Sequence, residues 1–207
     1  MPHTITTSGW MKRVAVALGT AWLYASAVSA APLGLTQQFP DIQTSDLNIS
    51  YDAGTGSLSA NQPTFAMFTY SDGITSTQYY DWTYSLTASL DSGTGTLTSG
   101  SLEIQDGSSV TQLSGSLTAF GYTDAGSKDV FEFLFDVTGG ALAGDFGALG
   151  GIIIVTDTSD FTGDFGIDFT AASTSNDTFA AVVPVPAAVW LFGSGLLGLA
   201  AAARRRH

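Results

Sequence analysis

The chain has 207 residues with 18 acidic against six basic side chains, a formal net charge of −12, and no cysteine. All 18 acids and only one base, Lys128, fall between residues 31 and 183, leaving that stretch at −17 without a single histidine or arginine. This inventory excludes a Ser-His-Asp triad, a thiolate nucleophile, a His- or Cys-ligated zinc or iron site, and arginine clamps on phosphate. So acidic a surface also repels phosphate backbones, which excludes nucleic acid as a partner.

At the N-terminus, Met11-Lys12-Arg13 opens a basic region and Val14 to Ala25 is apolar. Val28-Ser29-Ala30 then offers small residues for cleavage after Ala30, with Ala25-Ser26-Ala27 as an alternative. This predicts a signal helix over residues 1–30, with Met11 as an alternative start, and export through the Sec pathway.

The following 31–171 interval reads as one β domain, too short for two cores and, without disulfides, dependent on a single hydrophobic one. Leu47-Asn48-Ile49-Ser50-Tyr51, the turn residues Asp52-Ala53-Gly54-Thr55-Gly56 and Ser57-Leu58-Ser59-Ala60 predict a hairpin. Trp82, Tyr84, Leu86, Ala88 and Leu90 share one face of a long strand. Leu97, Leu102 and Ile104 follow, with a bulge or bend at Ser99-Gly100. Leu113, Gly115, Leu117 and Ala119 alternate in turn. Phe131, Phe133, Phe135 and Val137 alternate with Glu132, Leu134 and Asp136, and Ile152–Val155 reads as a central strand. Phe161, Gly163, Phe165, Ile167, Phe169 and Ala171 suggest the last strand. No segment keeps a helical apolar period. The expectation is an all-β, antiparallel β-sandwich, with a jelly-roll or an incomplete barrel as alternatives. Residues 172–183, small and polar, read as a linker.

Only carboxylates remain for catalysis. Glu103 and Glu132 are the only glutamates, with Asp81, Asp91 or Asp136 as partners, but no spacing singles out a pair across a sugar, and the chain is read as no enzyme. Calcium is the one cofactor the composition admits. Asp157, Asp160, Asp164 and Asp168 crowd into one segment, although they lack the loop pattern of a calcium hand and Asp is also an ordinary turn residue. Tyr79, Tyr80 and Trp82 could stack on a glycan, whereas Trp82 sharing a face with Leu86 favours core packing.

The last segment carries Val183-Pro184-Val185-Pro186-Ala187, then 17 residues from Ala187 to Ala203 without a charge, then Arg204-Arg205-Arg206. Such a run spans roughly 25 Å as a helix, close to a bilayer's hydrocarbon thickness, and the arginines would hold its end in the cytoplasm. This predicts a C-terminal transmembrane helix within residues 184–207.

The tail resembles the VPLPA-type C-terminal sorting signals, a branch of the PEP-CTERM group of Gram-negative bacteria, with Val185 in place of the usual leucine. The resemblance covers residues 183–207. It implies recognition and cleavage by an exosortase, a membrane-anchored intermediate, and release or transfer to the cell surface, where exopolysaccharide is a candidate partner. Residues 116–122 and 131–140 are loosely similar to segments of other exported proteins of this group, without an assigned activity. The function expected from the whole chain is a non-catalytic surface or extracellular-matrix component. A carbohydrate-binding or calcium-dependent adhesive module is the alternative, and a carboxylate glycosidase comes third.

Overall fold

A computed structural model of the chain describes residues 30–62 and 65–181. The predicted signal helix, the sorting residues Val183 to Ala187 with Arg204 to Arg206, and the predicted transmembrane helix lie outside these residues. Among the described residues no helix is long and apolar enough to cross a membrane.

The domain is all-β. Its strands are β1 (Asp41–Thr44), β2 (Leu47–Asp52), β3 (Ser57–Gln62), β4 (Ala66–Thr69), β5 (Ser76–Tyr79), β6 (Thr83–Leu90), β7 (Leu97–Gln105), β8 (Thr111–Thr123), β9 (Val130–Gly139), β10 (Leu149–Val155), β11 (Thr158–Ser159), β12 (Phe169–Ser173) and β13 (Ser175–Ala180). A single helical turn, α1 (Ala143–Phe146), follows β9. The antiparallel pairing expected from the sequence is present throughout. The strands are not divided between two stacked sheets, however. They form one 13-stranded sheet, ordered β11-β12-β2-β3-β6-β7-β8-β9-β10-β13-β1-β4-β5 and curled into a half-barrel around its own core.

Period-2 alternation decides which side chains face inward. In β6, Tyr84, Leu86, Ala88 and Leu90 are buried while Thr83, Ser85, Thr87 and Ser89 face solvent. In β9, Phe131, Phe133 and Phe135 are all buried. The curl brings distant strands face to face across this core. Tyr84 of β6 points its hydroxyl toward Thr178 and Asn176 of β13, and burial pushes that phenol up to about 12. Irregularities bend the longest strands: β8 shifts register against β9 at Ser114/Gly115 and again at Leu117/Ala119, which increases local twist and coil. A further shift sits at Ser89/Leu90 where β6 meets the start of β7, just before the predicted Ser99-Gly100 position.

The turns at 52–56 and 91–95 use the same chemistry. Asp52 Oδ1 accepts the N–H of Thr55 at 2.9 Å, and Asp91 Oδ1 accepts that of Thr94 at 2.9 Å. Each turn ends on a glycine in the left-handed region, Gly56 at φ 67° and Gly95 at φ 68°. A side chain at Gly56 would also strike the carbonyl of Leu90, since its Cβ would lie 2.2 Å away.

Two sequence expectations fail here. Residues 160–168 are not a strand. They form an irregular loop whose Phe161 and Phe165 insert into the core beside Phe131 and Tyr122, while Ile167 is left 57% exposed. Tyr51 donates its hydroxyl to the Phe165 carbonyl at 3.0 Å, fixing the loop from below. The second failure is the linker at 172–183. Its small polar residues complete β12 and build β13, an interior strand paired with β10 on one side and β1 on the other. Asn176 and Thr178 are fully buried there, so their polarity signals a buried polar patch and not a solvated tether.

Candidate functional site

The N-terminal segment 31–39 has no regular structure, yet backbone and side-chain contacts anchor it to the sheet along its length. It crosses the outer face of the sheet from β8 to β4. At Gly121 of β8, a Cβ would lie 2.4 Å from the Ala31 carbonyl, so only glycine lets this strap lie down. On β9, Glu132 Oε2 accepts the backbone N–H of Leu33 at 2.7 Å and of Gly34 at 3.1 Å, and Oε1 accepts that of Leu35 at 2.8 Å. Alternation placed Glu132 on the solvated face; the strap covers that face, and the carboxylate is only 6% exposed. Leu35 lies against Gly151 together with Phe179, and Phe39 packs on Gly73 in the β4–β5 turn.

Gln37 ties the strap to a carboxylate pair. Its Nε2 donates to Asp41 Oδ2 at 2.6 Å and reaches Asp177 Oδ1 at 3.3 Å, which also accepts from Gln43 Nε2 at 3.4 Å. Asp41 is 2% exposed and its Oδ1 has no hydrogen-bond partner. Burial, and then the charge of Asp177, push its carboxyl up to about 7, against the lowering effect of Gln37. Asp177 is raised by burial as well. Sequence reasoning missed this pair because Asp177 lies 140 residues from Gln37, on a segment read as linker, while Asp41 is only four residues from it.

The aspartates singled out for calcium do not converge. Asp157 accepts the Thr174 N–H at 2.8 Å, Asp164 that of Gly166 at 2.7 Å, Asp168 that of Ala53 at 2.8 Å, and Asp160 that of Thr170. Each carboxylate fixes a different turn or strand end, and bonding to Thr174 holds Asp157 below the usual carboxylate range. Among the described residues no group of three His, Cys, Asp or Glu could hold a metal ion.

The aromatic candidates are also separated. Trp82 is buried at 4% exposure beneath Tyr79, whose ring stacks on it at 4.2 Å, while Tyr80 turns to the other face, 71% exposed and tilted against Phe65. No stacking platform forms from the three. Glu103, the other glutamate, is exposed and accepts from Gln105 and Thr111; it lies opposite Ser114 on β8, whereas the buried Glu132 lies opposite Gly121, seven residues further along that strand.

The outer face of β12, β2, β3, β6, β7 and β8 carries a different pattern. Register aligns Thr170, Ser50, Ser59, Thr87, Ser101 and Ser116 in one row across six strands. A parallel row holds Asn48, Asn61, Ser85, Glu103 and Ser114. Two open depressions of about 610 and 510 Å³ lie on this face and share Asn48, Ile49 and Ser50. Hydroxyls and amides in such rows can donate and accept hydrogen bonds with a neutral polar ligand. Ala30 lies half-buried at the edge of the domain, its N–H 3.4 Å from the Thr94 carbonyl. Comparison with protein families, with curated proteins and with solved structures found no match to this chain.

Proposed function

We propose that the protein is an exported, non-catalytic component of the cell surface or extracellular matrix. In this reading it is anchored for a time by its C-terminal segment and processed there by an exosortase. One observation carries the reading: the proline motif Val183–Ala187, the uncharged run and the three arginines follow one another in that order, behind an export-type N-terminus. The described fold is compatible with it. Among the described residues the sheet holds the backbone as far as Ala181, whose N–H bonds to the Leu149 carbonyl at 3.0 Å, two residues before Val183. An intermediate anchored there would hold its acidic domain close against the membrane surface.

Mass spectrometry of the cell-surface fraction tests this. The main species is expected to begin at Ala31 and to lack the residues beyond about Ala187, while deletion of the exosortase leaves the tail in place. Intact Arg204–His207 peptides on the principal surface species of wild-type cells would overturn it.

The second reading, binding of a neutral glycan, is favoured by the aligned hydroxyl and amide rows and not by the aromatic residues first considered. Titration with neutral and anionic polysaccharides separates the cases. Binding of the neutral one that is lost in an Asn48→Ala, Asn61→Ala double variant supports this second reading, and no binding to either removes it.

A further inference from the structure

The open sheet ends in two edges that differ in kind. At one end β11 has only two residues, and Asp157 and Asp160 flank it, their carboxylates held by the Thr174 and Thr170 amides. Shortness and charge are the ordinary protections of a sheet edge. At the other end β5, Ser76-Thr77-Gln78-Tyr79, has no charge, no proline and no bulge, and Ser76, Thr77 and Gln78 are exposed. Four of the seven exposed large hydrophobic residues in the described part of the chain gather at this hairpin: Phe39 at 45%, Tyr70 at 41%, Ile74 at 86% and Tyr80 at 71%.

The backbone pattern defines what β5 can accept. Tyr70 N–H bonds to the Thr75 carbonyl at 2.9 Å, and the register then runs Phe68 against Thr77 and Ala66 against Tyr79. In an antiparallel pair alternate residues spend their backbone groups on one neighbour, so Thr75, Thr77 and Tyr79 are committed to β4. Ser76 and Gln78 direct their N–H and C=O groups outward. A strand that pairs with this edge must therefore meet those two residues.

We infer that β5 is a self-association edge, which pairs antiparallel with β5 of a second copy about a two-fold axis at Thr77. In that register Ser76 lies opposite the partner's Gln78 and Gln78 opposite the partner's Ser76, so both outward residues find backbone partners. Ile74 and Tyr80 are equidistant from Thr77, and each Tyr80 meets the partner's Ile74 on the outer face. Self-complementarity of this kind is what an isologous dimer requires. Charge selects the same place: in a domain at −17, two identical copies approach most closely where the edge is neutral, and β5 is such a place. Asp72 and Asp81 flank the strand at its two ends, so association strengthens with added salt. A four-residue edge with two apolar contacts buries much less than the roughly 1,200 Å² of a stable interface. The dimer is accordingly weak in dilute solution and forms where copies are concentrated.

The absence of native cysteine makes a direct test available. Residues opposite each other at a non-hydrogen-bonded position have Cα atoms about 4.5 Å apart, within disulfide range. In the purified full chain, Thr77→Cys is expected to form a covalent dimer about tenfold or more faster under mild oxidation than Thr87→Cys on the outer face, because pairing raises the local thiol concentration. Adding Gln78→Pro, which removes an outward N–H and leaves the β4 bonds intact, returns Thr77→Cys to the control rate. Circular dichroism verifies that each variant is folded. Cross-linking of Thr77→Cys no faster than of Thr87→Cys overturns the inference, as does light scattering that shows species larger than dimers as salt is raised.

Discussion

Glu132 Oε1 accepts the backbone N–H of Leu35 at 2.8 Å across 97 residues of sequence. This contact, with those to Leu33 and Gly34 through the other oxygen, turns an irregular N-terminal stretch into part of the fold. Among the described residues no lysine, arginine or histidine stands beside the carboxylate; three backbone donors take the place that a cation has elsewhere.

Glu132→Ala is therefore expected to lower stability by about 3 kcal/mol, since hydrogen bonds to a charged group contribute roughly 1.5–3 kcal/mol each and do not add fully. Urea denaturation gives the loss. Hydrogen exchange gives its location: the amides of Leu33, Gly34 and Leu35 should exchange much faster while those of β6 keep their protection. Unchanged protection of these three amides would show that the strap is held without Glu132.

Asp41 predicts an unusual dependence on pH. Its carboxyl is raised from 3.8 to about 7 in the folded protein, chiefly by burial and then by Asp177. Between about pH 4 and 7 the folded state holds a proton that the unfolded chain has released, so stability falls as pH rises through this window and is level above it. The gap corresponds to about 2–4 kcal/mol. Asp72, Asp91 and Asp157 are lowered by hydrogen bonds from Thr75, Thr94 and Thr174, and they act with the opposite sign below their ordinary range. Thermal melts are expected to show greater stability near pH 5 than at pH 8. Asp41→Asn should raise stability at pH 8 and remove most of the slope, and a slope that survives this change would place its origin elsewhere.

Trp82 and Tyr80 should respond in opposite ways to truncation. Trp82 is 4% exposed under the Tyr79 ring, and Trp82→Ala is expected to cost about 3–5 kcal/mol in urea denaturation of the monomer. Tyr80→Ala, at a ring 71% exposed, should cost under about 1 kcal/mol. Equal costs would mean that the two rings share one environment.

Much of the strand plan could be read from residue order. The alternation of Tyr84, Leu86, Ala88 and Leu90, and of Phe131, Phe133 and Phe135, reports local geometry, because the pleat has a period of two whichever strands lie alongside. The hairpin at Asp52–Gly56 was equally legible, since an Asp that accepts an N–H three residues on and a left-handed glycine are short-range devices. Alternation misleads where something outside the strand changes the surroundings. It assigned Glu132 to solvent, and the strap buries it. It extended Phe161 and Phe165 into a strand, although a loop can place two phenylalanines in a core as readily as a strand can. Composition misled at 172–180, where Ser, Asn and Thr look like a tether and form an interior strand with a buried polar patch.

The candidate site was less legible still. Asp41, Asp177 and Gln37 become neighbours only when β13 pairs with β1 and the strap returns over both. The hydroxyl rows exist only in the cross-strand register, which no single strand encodes.

The sequence alone determined an all-β, disulfide-free domain of strong negative charge, much of its inward and outward alternation, and the order of the proline motif, the uncharged run and the arginines in the tail. These follow from composition and from interactions a few residues long. The tertiary structure decided that the strands form one curled sheet, that residues 31–39 act as a strap, and that one sheet edge is guarded and the other is not. Those outcomes depend on which distant segments pair, and pairing is selected by burial summed over the whole core, a quantity that no local stretch of sequence contains.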